Sequence, residues 1–259
     1  MAPDSLSLRR KVSQASTAAS AASGTEVSTR RSRREPLDLD QIVGAAVALA
    51  DAEGVAAVTM RRLAGRLGIE AMSLYHHVAR KEDLVDRMVD RVVGEIDLPR
   101  AGTPWRGALR ATAIAAHDVL LRHAWAVPLV LGSQVREGRL RYMEAILATL
   151  RTGGFSPSAT HHGYHALDSH IVGFTLWETG IALDEATLAS QAVSFLEGLP
   201  RDRFPHVAEH VEQHLAGRGP DEPTEFEFGL ELILDGLARL LEPEGGVDGQ
   251  QLRRNAPPG

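Results

Sequence analysis

Hydrophobic residues recur every three or four positions along most of the chain, which is the spacing of amphipathic helices. In the first such stretch Ile42, Ala45, Ala46 and Leu49 form one apolar stripe, which stops at Gly54. No segment shows the alternation of a half-buried strand. The pattern predicts helices over Asp40–Glu53, Thr59–Leu67, Glu70–Val78, Lys81–Ile96, Trp105–Ala124, Gln134–Thr152, Ser156–Thr179, Glu185–Leu196, His206–Leu215 and Thr224–Leu241. We therefore expect an all-α fold, with a small N-terminal unit on a larger helical bundle.

Composition divides the chain into four parts. Residues 1–34 are rich in Ser, Ala and Thr and contain two basic clusters, so we predict a disordered basic tail. It is either a loose tail or an arm that adds phosphate or minor-groove contacts. Residues 35–97 hold the short N-terminal helices and residues 98–241 hold the longer helices of the bundle. Residues 242–259, which contain Gly, Pro and Gln, read as a second tail.

The totals narrow the class of protein. The 259 residues are 44% hydrophobic and include no cysteine, so a thiolate metal site, a disulfide framework and a Cys nucleophile are excluded. A cytoplasmic protein is the simplest expectation. No apolar run reaches the ~20 residues that a membrane span needs, so we expect no membrane partner. The net charge is −6, yet residues 54–81 carry five basic residues against one acid. Such a local basic patch suits a protein that contacts phosphate with one end.

The segment Thr59–Val78, "TMRRLAGRLGIEAMSLYHHV", has the spacing of a helix-turn-helix. Thr59 is the predicted N-cap of the first helix, and Gly68 can adopt the positive φ of a tight turn. Ala64 is small where the two helices would cross. If Leu74 points inward, the outer face of the second helix consists mostly of hydrogen-bonding side chains, which suits a DNA major groove.

The residues expected to contact DNA are Thr59, Arg61, Ala71, Met72, Ser73, Tyr75, His76, His77 and Lys81. Ser and His side chains can hydrogen-bond base edges, and Met or Ala can contact a thymine methyl group. Arg61 is placed to reach a guanine, and the expected phosphate contacts are Thr59, Tyr75, His77 and Lys81. The alternative is an ordinary surface helix, but the spacing, the glycine and the basic flanks together favour DNA binding.

This segment resembles the DNA-binding signature of the tetracycline repressor (TetR) family. Leu74–His77 and Lys81 match the family's Leu-Tyr pair, its following aromatic or His pair, and the Lys that opens the next helix. In the C-terminal half, "FEFGLELILDGLARLL", Phe226–Leu241, resembles the last helix of the tetracycline-repressor subclass. "GFTLWE", Gly173–Glu178, resembles the helix that pairs with it. The resemblance covers about Leu37–Leu241.

The resemblance implies a homodimeric repressor that binds double-stranded operator DNA and is released by a small-molecule effector. Three helices would bind DNA, and the fourth, Lys81–Ile96, would link them to a ligand-binding bundle and act as a lever. Gly229 and Gly236, seven residues apart on the last helix, lie on nearly one face and allow close approach of a second helix. The expected dimer interface comprises Phe226, Gly229, Leu230, Ile233, Gly236 and Leu237. The alternative is that this face packs within its own chain.

The effector is left open by the resemblance. The tetracycline repressor holds a magnesium–tetracycline complex with His and Glu, whereas here Val130 and Gly173 align with two of its His residues and only Glu178 is retained. A different small molecule, and no metal or other cofactor, is therefore expected. The candidate lining residues are Trp125, Leu129, Met143, Phe174, Trp177, Glu178 and Phe195. A mostly apolar cavity is the usual form of such a site, although about half of these residues could be core.

Two histidine groups suggest an alternative function. His161, His165 and Asp168 share one predicted helix face, as do His206, His210 and His214. Two His one turn apart can share a zinc ion, so a helical metal-dependent enzyme at His161–Asp168 is the second hypothesis. No common catalytic signature supports it, and we expect a protein that is not an enzyme. A helical adaptor that binds only protein is the third hypothesis, but it leaves the exposed Ser73, Tyr75 and His76 unexplained.

Overall fold

The computed structural model describes residues 38–180, 185–217, 219 and 222–241, and all regular secondary structure in them is helical. The α-helices are α1 (Leu39–Glu53), α2 (Met60–Leu67), α3 (Ala71–Leu74), α4 (Lys81–Val93), α5 (Trp105–Arg122), α6 (Glu137–Thr152), α7 (Pro157–Gly180), α8 (Glu185–Gly198), α9 (Pro205–Ala216) and α10 (Glu225–Arg239). The two predicted tails, residues 1–34 and 242–259, lie outside the described residues. The all-α fold class is confirmed.

Local capping signals explain where several helices begin. Asp38 and Gln41 form a reciprocal capping box at α1, in which the Gln41 N–H donates to Asp38 Oδ1 at 2.7 Å. Thr59 Oγ1 accepts from the Arg62 N–H at 3.3 Å, so the predicted N-cap of α2 is confirmed. Thr224 opens α10 in the same way. These caps depend on residues three positions apart, which is why the chain itself indicates them.

The largest difference from the predicted elements is at α3. A helix over Glu70–Val78 was expected, but the regular α-helix ends at Leu74. After Leu74 the chain continues through turns of the 3₁₀ type, in which an N–H donates to the carbonyl three residues earlier. One such bond runs from the Tyr75 N–H to the Met72 carbonyl at 3.2 Å. Helix α4 likewise ends at Val93 rather than Ile96. Two short 3₁₀ helices, Val55–Ala57 and Ala124–Leu129, were not predicted, and the second contains a proline.

One continuous hydrophobic core runs through α1–α7 and α10. In the N-terminal part Ile42, Leu63 and Leu74 are fully buried in the same core as Leu84 and Met88 of α4. Helix α4 contacts α1, α5 and α6, and α7 contacts α5, α6 and α10. Helices α8 and α9 pack on one another. Helix α4 is therefore placed between the N-terminal helices and the bundle, as the lever hypothesis requires.

No helix among the described residues is long and apolar enough to cross a lipid bilayer.

Candidate DNA interface and ligand cavity

Helices α2 and α3 meet at a tight turn centred on Gly68. Gly68 has φ 68° and ψ 35°, the left-handed conformation that glycine adopts without steric cost, so the predicted turn is confirmed. The Ile69 N–H donates to the Ala64 carbonyl at 3.0 Å, which closes the end of α2. Ala64 is buried, with 3% of its surface exposed. The turn therefore sets α3 against α2 with little backbone freedom.

The orientation of α3 follows from one buried residue. Leu74 is fully buried, and Val78, which follows the helix, is 1% exposed. Met72 and Tyr75, which point away from Leu74, are 69% and 46% exposed. Because α3 is only four residues long, packing of Leu74 rather than helix propensity holds it in place.

Of the nine residues predicted to contact DNA, eight are exposed and Ala71 is half-buried. Arg61 and Lys81 have no ion pair within the described residues, whereas the neighbouring Arg62 pairs with Glu53 at 2.6 Å. The Thr59 hydroxyl accepts the cap bond and so keeps its own proton for donation. The outward orientation is confirmed, and contact with DNA stays a prediction.

Helix α4 also caps a helix of the bundle, which sequence reasoning missed. The Asp90 carboxylate accepts from the N–H groups of Gly138 and Arg139, both at 3.0 Å, and so caps the first turn of α6. A Cβ atom at Gly138 would clash with the Asp90 backbone carbonyl, which explains the glycine. The contact fixes the start of α6 to the linker helix. No cap signal within α6 itself reveals it, because Asp90 is far away in the sequence.

Two more aspartates of α4 hold the segment before α6. Asp83 pairs with Arg136 at 2.5 Å, and Asp86 accepts from the Gln134 N–H at 3.2 Å. With Asp90 they follow the i, i+3, i+7 spacing of one helix face. That row of acids marks a polar face of α4, but it does not indicate which residues the face contacts.

A second connection joins the N-terminal helices to the bundle. His123, 8% exposed, lies between Asp51 of α1 and Glu95, with nitrogen–oxygen distances of 2.7 and 3.1 Å. The Trp125 indole N–H donates to the same Asp51 carboxylate at 2.7 Å. Trp125 therefore belongs to this junction and not to the predicted ligand pocket. Helix α4, the predicted lever, is therefore not the sole contact between the two parts, since α1 also contacts the bundle.

A cavity of about 420 Å³ lies between α5, α7 and the start of α10. Its lining residues are Ile114, His117, Asp118, Leu121, Phe174, Trp177, Glu178, Thr224, Glu225, Phe226 and Glu227. Three predicted pocket residues, Phe174, Trp177 and Glu178, are among them.

The other predicted pocket residues lie elsewhere. Leu129 and Met143 are half-buried and pack against the core, and Phe195 is 50% exposed on α8. Each fits the apolar composition of a pocket, but a large apolar residue does not indicate which cavity it lines. His117 and Asp118 were missed because α5 carries no local motif.

Aromatic rings form one wall of this cavity. Phe226 lies between two histidines: its ring stacks on His117 at 4.0 Å between centroids and on His170 at 4.9 Å. Phe174 meets Phe226 edge-on at 5.7 Å, and Trp177 lies 5.6 Å from Phe174. Such offset and edge-to-face contacts are the preferred geometry of aromatic rings. The wall is therefore an ordered aromatic surface, and Trp177, 59% exposed, is its outermost ring.

The charged side chains that line the cavity beside this aromatic wall are mostly acidic. The lining residues include four carboxylates, Asp118, Glu178, Glu225 and Glu227. His117 Nε2 donates to Glu178 Oε2 at 2.9 Å. Hydrogen bonds from the Thr224 backbone, and then from the Thr224 hydroxyl and Arg110, lower the pKa of Glu227 below its ordinary value of 4.5. Glu227 is thus held in its ionised form.

A smaller cavity, with room for about one water molecule, lies beside a buried polar cluster. Asp168 pairs with Arg139 at 3.3 Å, and both side chains are nearly buried. Burial raises the pKa of Asp168, against the opposing effect of Arg139. Burial also raises the pKa of the neighbouring Tyr142 and Tyr164 hydroxyls. The cluster ties α6 to α7.

The same cluster argues against the metal-enzyme hypothesis. Asp168 faces Arg139 in the interior, whereas His161 and His165 are exposed and meet each other at 4.6 Å between ring centroids. Within the part of the chain that is described, no three His, Asp or Glu residues are arranged to hold a metal ion. His206, His210 and His214 lie exposed along α9. The shared face predicted for His161–Asp168 therefore does not form a site, because the aspartate is turned inward.

The predicted dimer interface needs a correction. Phe226, Leu230 and Leu237 are at most 5% exposed and pack in the core of their own chain. Ile233 is half-buried against the same core, and the space beside Gly229 is filled by His170. Only Gly236, among the six, faces open space. The alternative of packing within the chain is therefore the correct one for most of this face.

A different face of α10 is uncovered. Phe228, Leu232 and Leu240 are between 59% and 60% exposed. Leu176 and Trp177, on the exposed side of α7, are 45% and 59% exposed. Helix α10 is thus apolar on two sides, and the periodicity of its sequence does not distinguish the inner from the outer one.

Comparison with known proteins identifies the family. Residues 98–241 match the family described as tetracyclin repressor-like, C-terminal domain, and residues 42–88 match bacterial regulatory proteins of the tetR family. The chain is 35% identical to the HTH-type transcriptional repressor DrrR1 of Streptomyces coeruleorubidus, over 84% of each protein. It is 29% identical to the class D tetracycline repressor protein of Escherichia coli, over 81% of the chain and 95% of that protein.

Among solved structures, the fold is similar to that of the Streptomyces coelicolor TetR family protein ActR in complex with actinorhodin. The TM-score is 0.65 with 28% identity, over 79% of this chain and 98% of ActR. The matches to the family, the similar proteins and the helix-turn-helix geometry of α2 and α3 all indicate the same family. The chain therefore belongs to the tetR family of bacterial regulatory proteins and is a DNA-binding transcriptional regulator.

Proposed function

We propose that the protein is a homodimeric repressor that binds operator DNA through α3 and is released when a small molecule occupies the cavity between α5, α7 and α10. The observation that carries the proposal is the burial of Leu74 beneath the exposed side chains of α3 and of the turns that follow it, among them Ser73, Tyr75 and His76. Residues 35–97 would act as the DNA-binding domain and residues 98–241 as the ligand-binding and dimerisation domain. The operator of a bacterial regulator lies in the cytoplasm, so we place the protein there.

In this proposal the residues on α3 and immediately after it make two kinds of DNA contact. Ser73 and His76 read base edges, whereas Tyr75, His77 and Lys81 bind phosphate. Arg61, exposed at the start of α2, reaches a guanine. The two α3 helices of a dimer would enter successive major grooves, about 34–36 Å apart.

We assign dimerisation to the exposed face of α10 together with α7. Phe228, Leu232 and Leu240 form an apolar surface that a lone chain leaves in water. Gly236 lies at this side, and no atom of the described residues is within 4 Å of its Cβ position, so a second helix can approach closely there. A symmetric partner would bury the same surface on both chains.

The switch follows from the contacts of α4. A ligand that prefers one arrangement of α5 and α7 would shift α6, whose first turn is bound to Asp90 of α4. The contact of His123 with Asp51 carries the same movement to α1. Either route changes the separation of the two α3 helices, and operator affinity falls.

The decisive experiment begins by sequencing the DNA fragments that co-purify with the protein. A palindromic sequence should emerge and bind in gel shifts with strong salt dependence. Small-molecule extracts should then be tested for release of that fragment. Retention of random DNA only, or operator binding that no fraction weakens, would count against the proposal.

A further inference from the structure

The charge of the α5–α7–α10 cavity is one-sided. Four of its lining side chains are carboxylates, and the described lining residues include neither Lys nor Arg. The basic group that remains is His117, which is bonded to Glu178. An anionic ligand would therefore meet like charges from several directions, whereas a cation would meet opposite charges.

The four carboxylates are not equally available. Glu227 is bound by Thr224 and by Arg110, the latter at 3.0 Å, and Glu178 is bound by His117. Asp118 and Glu225 are both exposed and have no ion pair within the described residues. Two negative charges at this cavity therefore lack a counter-charge from the residues that the structure describes.

The wall beside these carboxylates is aromatic. Phe174, Trp177 and Phe226 form a connected set with His117, with contacting ring centroids between 4.0 and 6.1 Å apart. Aromatic faces attract both flat rings and cations. The cavity volume of about 420 Å³ lies within the range of small-molecule sites.

We infer that the effector is a planar aromatic cation, such as a ring system that carries a protonated amine. This inference rests on the proposed function, because it names the ligand class of the same cavity. The rings would stack along Phe174 and Trp177, and the ammonium group would lie near Asp118 and Glu225.

Three probes that share one ring test the ligand class by isothermal titration calorimetry without DNA. 1-Naphthylmethylamine is a cation at neutral pH, 1-naphthalenemethanol is neutral, and 1-naphthoic acid is an anion. The cation should bind tightest and the anion weakest. In the double variant Asp118→Asn, Glu225→Gln the cation should bind more weakly, by roughly fivefold for each exposed carboxylate. Binding of the neutral alcohol should stay unchanged.

Two further variants complete the design. Glu144→Gln removes an exposed carboxylate of α6 that does not line the cavity, and it should leave all three affinities unchanged. Trp177→Ala should weaken the amine and the alcohol alike, since both use the aromatic wall. Circular dichroism checks that each variant is folded.

Equal affinity for amine and alcohol, an unchanged preference in the double variant, or no binding of the amine would overturn the inference. Failure of the proposed function is a separate result. An amine that occupies the cavity in calorimetry but leaves operator binding unchanged would keep the ligand class and remove the regulatory role.

Discussion

Helices α3 and α10 differ in what holds them and in what their sequences reveal. Helix α3 has four residues and no side-chain cap, and it is fixed by the burial of Leu74. Helix α10 has fifteen residues and a capping box at Thr224, and Arg106 and Arg110 of α5 pair with its acids. The predicted bounds were close for α10 and too long for α3. The outward face, in contrast, was predicted correctly for α3 and wrongly for α10.

The reason for this contrast is the number of apolar faces. Around α3 the interior positions belong to Leu74 and Val78, which lie one helical turn apart, and Met72, Ser73 and Tyr75 are left outside. Helix α10 has Leu230 on one side and Leu232 on another, and both satisfy a helical repeat. Periodicity identifies which residues share a face, but the surrounding helices decide whether that face is covered by the same chain or by a partner.

The largest effects should come from the two buried leucines. Leu74→Ala and Leu230→Ala should each lower the free energy of unfolding by about 2–5 kcal/mol, because each leaves a cavity in the core. Met72→Ala, at a position 69% exposed, should change it by less than about 0.5 kcal/mol. Chemical denaturation measures all three. If Leu230→Ala kept full stability and produced monomers, the face of α10 that contains Leu230 would be the dimer interface.

Particular residues show which features of the structure the sequence predicts and which it does not. Thr59 and Gly68 act on neighbours within five positions, so their roles were visible along the chain. Asp90 caps a helix 48 residues away, and His123 contacts Asp51, 72 residues away. The chain between such partners carries no record of their distance in space. The Thr59 cap and the turn at Gly68 were therefore predictable, whereas the Asp90 cap, the junction at His123 and the cavity were not.

The next effect concerns the uncovered face of α10. Leu232→Asp should weaken dimerisation by on the order of 2 kcal/mol, as a charge would enter the interface that we assign to this face. Analytical ultracentrifugation gives the dimer constant, and operator affinity should fall with it. Leu131→Asp is the matched control, since Leu131 is 72% exposed at the end of a 3₁₀ helix and lies on neither α7 nor α10. Equal dimerisation of both variants would place the interface elsewhere.

The two classes of DNA contact on and beside α3 should separate in a binding titration. Ser73→Ala or His76→Ala should cost about 1–3 kcal/mol at the operator and relax sequence preference at one position. Lys81→Ala should weaken all sequences alike and lower the slope of log affinity against log salt by about one. Identical behaviour of the three variants would contradict the division into base and phosphate contacts.

A smaller effect is expected where α4 caps α6. Asp90→Ala should cost roughly 1 kcal/mol of stability, since two N–H groups of the first turn lose their acceptor. It should also reduce the response of operator binding to effector, because α6 loses one of the contacts that bind its start to α4. Glu144→Ala, which removes an exposed acid of α6, is the control for the loss of one carboxylate. Asp118→Ala is less suitable, because Asp118 lines the cavity. An unchanged effector response in Asp90→Ala would leave the junction at His123 as the transmitting contact.

The smallest effect concerns the charge at the start of α10. Because the pKa of Glu227 is lowered in the folded chain, mainly by the hydrogen bond from the Thr224 backbone, the ionised form is favoured by folding. Its contribution to stability is therefore present above the ordinary pKa of 4.5 and is lost as pH falls through the lowered folded value.

Glu227→Gln keeps a side-chain acceptor for the capping box and removes only the charge. The variant should be less stable than the parent at pH 7, and the difference should shrink as pH falls below 4.5. Glu144→Gln is the control for the loss of one acid, since Glu144 is exposed and forms no ion pair in the described structure, and its stability at pH 7 should stay within about 0.5 kcal/mol of the parent. Thermal unfolding of both variants at fixed protein concentration between neutral and acid pH makes the comparison. A difference for Glu227→Gln that stays constant with pH would show that the Thr224 and Arg110 contacts at the start of α10 do not stabilise the carboxylate.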